Sequence, residues 1–441
     1  MEGTTDPGGA WDRDAAVRGN KRIVLSTFGS LGDLYPYLAI ALRLKERGHL
    51  PIIATSAVYR ETIEGLGLEF HAMRPDTPTP AEMPDAMRRV MDRRRGSEVV
   101  IRDWVLPALR NSFDDLMSAA EGADVLVSHR LTFATPLVAA LRGIPWVSTA
   151  LQPSIYFSAY DPPLFPQTML FTKMPFLGPW FWQRYRRLAQ RITRPWFAPL
   201  FALRAELGIQ PTDLDPLLDG HSPLLDLALF SSTLARRQPD WPKSAVVTGF
   251  PFLTPPDASA LPPELEAFLT NGSAPIVFTL GSSAVMTPGE FYDASAEAAS
   301  RLGCRAVLLV GKSTEERPLP ISSDVLTVDY VPHAAIFPRA AAIVHQGGIG
   351  TMAEAMRSGR PMVVVPFAHD QPDNARRVER LHISRTIPRQ QYTANRAVRA
   401  LRSVLEDPIY AQRAADIGRQ IRTEDGVGTA VAALERVLSQ T

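Results

Sequence analysis

The 441-residue sequence predicts an α/β protein made of two Rossmann-like, doubly wound domains in tandem. Three observations lead there. Short apolar runs alternate with helical stretches, the pattern of parallel strands joined by crossover helices. The pattern pauses at a Pro-rich segment, 251–263, holding Pro255-Pro256 and Pro262-Pro263, and then restarts. The length suits two cores of about 200 residues each better than one.

In chain order, residues 1–20 are rich in Gly and Asp and lack an apolar stretch, so a flexible tail is expected rather than a signal peptide. A first domain is expected over 21–250. It opens with the strand Lys21–Thr27 (KRIVLST), the turn Phe28-Gly29-Ser30-Leu31-Gly32-Asp33 and a helix from Leu38 to Arg47. Strands follow at Leu50–Ser56, Asp124–Ser128, Pro145–Thr149, Asp226–Ser231 and Ala245–Thr248. After the 251–263 linker, a second domain is expected over 264–420. Its strands are Pro275–Leu280, Arg305–Val310, Val325–Tyr330, Ala341–His345 and Pro361–Pro366, with the turn Gly281-Ser282-Ser283 and a helix over Phe291–Leu302. Ligands of such sheets bind beyond the strand C-termini, so the two domains are expected to face each other across a cleft.

Composition excludes several functions. Forty-seven basic and 46 acidic residues leave a net charge of +1, which gives no polyelectrolyte surface for nucleic acid. Cys304 stands alone, so no disulfide framework exists and a reducing, cytoplasmic setting is expected. No window supplies the roughly 18 uninterrupted apolar residues of a membrane span. Met169–Pro199 comes closest, but Pro, Lys and Arg interrupt it, and no stable membrane insertion is expected. The first turn lacks G-x-G-x-x-G, which argues against a nicotinamide dehydrogenase.

The strongest chemical signal is Val344-His345-Gln346-Gly347-Gly348-Ile349-Gly350-Thr351, between a buried strand and a helical run from Met352 to Ser358. Such a loop lets backbone N–H groups approach a diphosphate, and the helix N-terminus adds partial positive charge. A tight strand–helix turn would use the same glycines. Downstream, Pro366-Phe367-Ala368-His369-Asp370-Gln371-Pro372-Asp373-Asn374 places carboxylate and amide groups at a strand's C-terminal end, where they suit sugar hydroxyls. Asp370 could equally cap the next helix.

Tyr330-Val331-Pro332-His333, His345–Glu354, Gly359-Arg360-Pro361 and His369–Asn374, in this order and spacing, resemble the donor-binding signature of the UDP-glycosyltransferase superfamily. Gly29–Pro36 resembles the bacterial and sterol branches. The resemblance implies the GT-B fold, with an acceptor domain first, a nucleotide-sugar domain second, and a C-terminal helix (421–441) packing back onto the first. It also implies an inverting transfer of glucose or a deoxysugar such as rhamnose from a UDP- or dTDP-sugar to a polyphenol, flavonoid, polyketide or sterol, with the nucleotide sugar as co-substrate and no further cofactor. Alternatives are a nucleotide-sugar epimerase of the same fold and a transferase acting on a membrane lipid.

Carried over residue by residue, Tyr330 would lie against the base, flanked by Val331 and His333. Gly348, Gly350 and Thr351 would hold the phosphates, and Glu354 the ribose hydroxyls. Asp370 and Gln371 would read the sugar, with Asn374 one turn on. Ser282 is a second phosphate or acceptor contact. Gln346, beside His345, takes the place of a histidine that often touches the pyrophosphate. Asp33 is the candidate base and His129 its partner, an exchanged form of the histidine–aspartate dyad of plant relatives; a helix cap and a core histidine are the plainer readings. Asp213-Leu214-Asp215 imitates the DxD metal motif of the other main glycosyltransferase fold, but it lies in a loop beside Pro211 and Pro216, so no metal site is expected. Residues 156–201 are dense in aromatics, among them Phe157, Tyr160, Trp180 and Trp182, which suit the wall of an apolar acceptor cleft, although many would simply pack helices.

Overall fold

A computed structural model describes residues 20–76, 84–174, 176–253, 261–311 and 322–440. The expected tail and the middle of the Pro-rich linker, with Pro255-Pro256, lie outside the described residues.

Among the described residues the strands form two sheets, parallel throughout. The first contains β1 (Arg22–Ser26), β2 (Leu50–Thr55), β3 (Glu69–Ala72), β4 (Val125–Ser128), β5 (Trp146–Ala150), β6 (Asp226–Ala228) and β7 (Ala245–Val247), in the order β3-β2-β1-β4-β5-β6-β7. The second contains β8 (Ile276–Thr279), β9 (Ala306–Leu309), β10 (Val325–Val328), β11 (Ala342–His345), β12 (Met362–Val364) and β13 (Ser384–Thr386), in the order β10-β9-β8-β11-β12-β13. Strands buried on both faces read as continuous apolar runs, as in Ile23-Val24-Leu25 and Ile343-Val344, which is why most were visible in the sequence. The edge strands β3 and β13 were not. Glu69-Phe70-His71-Ala72 and Ser384-Arg385-Thr386 carry little buried apolar surface and are fixed by main-chain pairing to β2 and β12.

Each sheet reverses its strand order once, between β1 and β4 and between β8 and β11. At such a crossing the loops beyond neighbouring strands diverge and leave a crevice.

The first helix begins seven residues earlier than expected and spans Leu31–Glu46. Ser30 caps it: its hydroxyl accepts from the Gly32 N–H at 3.3 Å while the Asp33 carboxylate accepts from the Ser30 N–H at 2.7 Å. This box outweighs Pro36, which sits inside the helix and lacks the N–H that would bond the preceding turn. The Gly281-Ser282-Ser283 turn is likewise the start of a short helix, Gly281–Ala284.

The chain ends by crossing back. After the helix Pro408–Thr423, a final helix, Gly426–Ser439, buries Ala430, Val431, Leu434 and Leu438 in the same cluster as Leu34, Tyr37, Leu38 and Ala41 of the first helix. Glu435 fastens it there, accepting from Arg47 at 2.7 and 2.9 Å. Among the described residues no helix is long and apolar enough to cross a membrane.

Candidate active site

Both groups of candidate residues fall at the sheet crossings. In the first domain, Asp33 follows β1 and His129 follows β4, with His129 Nε2 3.7 Å from Asp33 Oδ1. The plainer reading of Asp33 holds, because its other oxygen is the helix cap, accepting from the Ser30 N–H and, at 3.0 Å, from the Ser30 hydroxyl. The cap fixes the carboxylate and leaves Oδ1 turned towards His129. That histidine is buried, and burial lowers its pKa, against the pull of Asp33 and with a further push from Arg130. Its Nδ1 accepts from the Leu131 N–H at 3.3 Å, and an amide can only donate, so the ring proton of the neutral form lies on Nε2, facing Asp33.

In the second domain, Gln346–Thr351 fills the crevice between β8 and β11. Gly347 has φ +88° and its N–H donates to His345 Nδ1 at 3.0 Å. Gly348 caps the helix Ile349–Ser358, which carries Gly350, Thr351 and Glu354. The turn after β8 is pressed against this loop: a Cβ on Gly281, which has φ +64°, would sit 2.3 Å from Gln346 Nε2 and 3.1 Å from Thr351 Oγ1. Ser282 lies exposed on that turn. Gln346 is buried, and its Oε1 lacks a hydrogen-bond partner. The loop also meets the first domain, since a Cβ on Gly350 would lie 3.7 Å from the Gly32 Cα, next to Asp33.

The 366–374 segment is held from within. Gln371 Oε1 accepts from the Phe367 and Ala368 N–H groups at 2.8 and 3.1 Å, leaving its amide NH₂ as the group that can meet a ligand. Asp370 and Glu354 share an electrostatic signature. Burial pushes each carboxyl up to about 7, with the nearby Asp33 adding to the rise at Asp370 and Arg357, 2.9 Å from Glu354, opposing it there. Perturbed carboxyls of this kind cluster at functional sites.

Four expected contacts are placed differently. His345 is fully buried, bonded through Nδ1 to the Gly347 N–H and 3.3 Å through Nε2 from Met362 Sδ, and burial, with His333 adding to it, takes it down to about 3. It supports the loop from below. Asn374 is also fully buried, its Nδ2 donating to the Gly347 carbonyl at 3.0 Å and to Asp370 Oδ2 at 2.5 Å, so it joins two loops. Val331 is a core residue, while His333 stacks on Phe337 and is lowered to about 4 by burial. Tyr330, by contrast, is half exposed and lies beside Tyr35 of the first helix.

The aromatic region divides in the same way. Phe157 and Trp182 are buried, Phe157 stacking on Phe165 and Tyr185 and Trp182 packing on Phe181 and Tyr185. Tyr160 and Trp180 are exposed, at 49% and 70%. Asp215 of the Asp-Leu-Asp sequence is buried and accepts from the Leu217 and Leu218 N–H groups at 3.0 and 2.8 Å, a loop-capping role. Sequence reasoning did not single out Asp161, His369 or Arg377. Arg377 and Asp373 are buried at the domain boundary against Asp161, and His369, with φ +57°, bonds Ser97 of the first domain through Nδ1 at 3.0 Å. A cluster of arginines following Asp373 was the available signal.

Comparison with known proteins agrees with this geometry. Residues 23–104 match the glycosyltransferase family 28 N-terminal domain, and residues 297–432 match the erythromycin biosynthesis protein CIII-like C-terminal domain. The chain is 31% identical over 431 residues to O-mycaminosyltylonolide 6-deoxyallosyltransferase of Streptomyces fradiae, covering 94% of this chain and 97% of that one. It is 28% identical to a sterol 3-beta-glucosyltransferase of Cryptococcus neoformans over 95% of this chain, but spans only 27% of that protein's length. The crystal structure of the kitacinnamycin glycosyltransferase superposes with a TM-score of 0.74 at 22% identity, covering 95% of this chain and 100% of that one. The chain is a glycosyltransferase of GT-B fold and belongs to the UDP-glycosyltransferase superfamily, moving a sugar from a nucleotide sugar to a small acceptor.

Proposed function

We propose that the protein transfers a hexose or deoxyhexose from a UDP- or dTDP-sugar to a hydroxyl of a small apolar ring compound, inverting the anomeric carbon and using no metal ion. The observation that carries the reading is the pairing of Asp33 with His129 on one side of the cleft and the glycine loop on the other, joined where Gly32 meets Gly350. In the reaction the acceptor oxygen attacks the anomeric carbon as Asp33 takes the hydroxyl proton. The bond from that carbon to the diphosphate oxygen breaks on the opposite face, and the nucleoside diphosphate leaves with the electron pair. The Nε2–H of His129 faces the Asp33 carboxylate from 3.7 Å. The charge that develops on the diphosphate is met by loop amides, the N-terminus of the Ile349–Ser358 helix and the Gln346 amide, which is why a divalent cation is not required. Glu354 is assigned to the ribose, Tyr330 to the base, and Asp370 with Gln371 to the sugar.

The name of the Streptomyces fradiae relative, with its 6-deoxyallosyl group, favours a deoxyhexose, and the sterol-modifying relative favours a rigid apolar acceptor. Thermal shift with UDP-glucose, UDP-GlcNAc and dTDP-rhamnose tests the donor site, since binding raises the melting temperature according to concentration and affinity. Turnover on an acceptor panel in EDTA, with the product's anomeric configuration read by NMR, tests the rest. A product that retains configuration, or turnover that EDTA abolishes, overturns the corresponding part.

A further inference from the structure

The geometry points to Asp161 as a positioning residue through which the first domain's 158–168 loop sets the sugar-reading end of the donor site. This rests on the donor-site reading above. Asp161 lies in the aromatic region of the first domain, yet both carboxylate oxygens are held by the second-domain helix Gln371–Arg380. Oδ2 accepts from Arg377, and Oδ1 from Arg380 through two contacts of 3.2 Å. The same helix grips the loop's backbone. The Leu164 N–H donates to Asp373 Oδ1 at 2.8 Å, and Arg376 donates to the Pro162 carbonyl. Asp373 and Arg377 bond each other at 2.7 Å and are almost wholly buried.

The chain of contacts continues inward. The residue after Asp373 is Asn374, which bonds the Gly347 carbonyl and the Asp370 carboxyl, and Gln371 three residues before it anchors Phe367 and Ala368. A shift of this helix therefore moves Asp370 and Gln371 together with the floor of the glycine loop. Two acidic and three basic side chains share the joint, and burial of Asp161 is outweighed by Arg377, then Arg380 and Arg376, which hold its carboxyl below the ordinary range. Asp161 is thus ionised at neutral pH. A bound sugar that draws in Asp370 and Gln371 tightens a loop it does not touch, and a well-set loop in turn readies the sugar site.

Hydrogen exchange of residues 158–168 in the full chain tests this with four probes: UDP, dTDP, UDP-glucose and dTDP-glucose. The sugar nucleotide is expected to protect the loop more than the matching diphosphate does. Asp161→Ala is expected to abolish that extra protection and to weaken sugar-nucleotide binding roughly tenfold, within the usual range of intersite coupling, while diphosphate affinity changes less than about twofold. Arg380→Ala, which removes a more exposed cation from the same carboxylate, gives a smaller change in the same direction and serves if Asp161→Ala does not fold. Equal loss of sugar-nucleotide and diphosphate affinity, or protection that survives both substitutions, overturns the inference while leaving the donor site intact. Binding of none of the four probes to the unmodified chain overturns the donor-site reading and this one with it.

Discussion

Beyond β11 the second sheet ends in Gln346, Gly347, Gly348 and Gly350, whereas beyond β1 and β4 the first ends in Asp33 and His129. The two crossings share one topology and differ in material. The second presents backbone to its crevice, and Gly281 and Gly347 stand there at positive φ where a side chain would strike a neighbour. The first presents two titratable side chains, each of which also has an ordinary structural task. A site made of backbone constrains sequence and advertises itself; a site made of side chains is common in composition and special only in placement.

Several substitutions break or sharpen the contrast. The largest effect is expected from Asp33→Asn, which keeps a capping side chain but removes the proton acceptor. Turnover should fall about 10³-fold, with donor affinity and melting temperature close to those of the unmodified chain. A variant that retains more than about a tenth of the activity would remove Asp33 as the base. Next, Trp182→Ala deletes a buried ring and should cost about 3 kcal/mol in denaturant unfolding. Gly281→Ala places a methyl group against the Gln346 amide in a left-handed conformation. A loss of about 2 kcal/mol, together with weaker nucleotide binding by thermal shift, is expected.

Asp370→Asn addresses pH. The folded pKa of about 7 lies above the ordinary 3.8, so the contribution of this carboxyl to stability is fully present below about pH 4 and is lost as pH rises through 7. The asparagine variant should therefore be the less pH-sensitive, gaining roughly 1–2 kcal/mol on the unmodified chain at pH 8 relative to pH 4. The check is urea unfolding at both values; parallel pH profiles would contradict it. The smallest effect is expected from Trp180→Ala. Its ring is exposed, so stability should change by less than about 0.5 kcal/mol, and any loss of acceptor affinity would mark it as part of the cleft wall.

Legibility in the sequence followed the same division. Buried parallel strands and the glycine loop were visible because each demands a narrow set of residues over consecutive positions. The first helix was read seven residues too short because its first two turns, Leu31 to Tyr37, carry the glycine turn and Pro36, and it is the Ser30–Asp33 box that starts the helix there. The edge strands β3 and β13 were missed because main-chain pairing leaves no apolar pattern. His345 and Asn374 stand inside a recognisable motif, yet their burial beneath and between loops depends on packing that linear order does not carry. The joint between Asp161 and Arg377 spans more than 200 positions, and neither residue is unusual in its own neighbourhood.

The final helix has a consequence for recombination. Residues 426–439 are donated to the core beneath the first helix, so the unit that carries the glycine loop is an insertion within the first domain rather than the chain's second half. A chimera joined only at the linker would bring a foreign helix against Tyr37, Leu38 and Arg47, with its own partner for Arg47 in place of Glu435. Exchange of donor halves between relatives therefore has two natural seams, one between 253 and 261 and one at Glu424-Asp425, and the interchangeable cassette is the stretch between them.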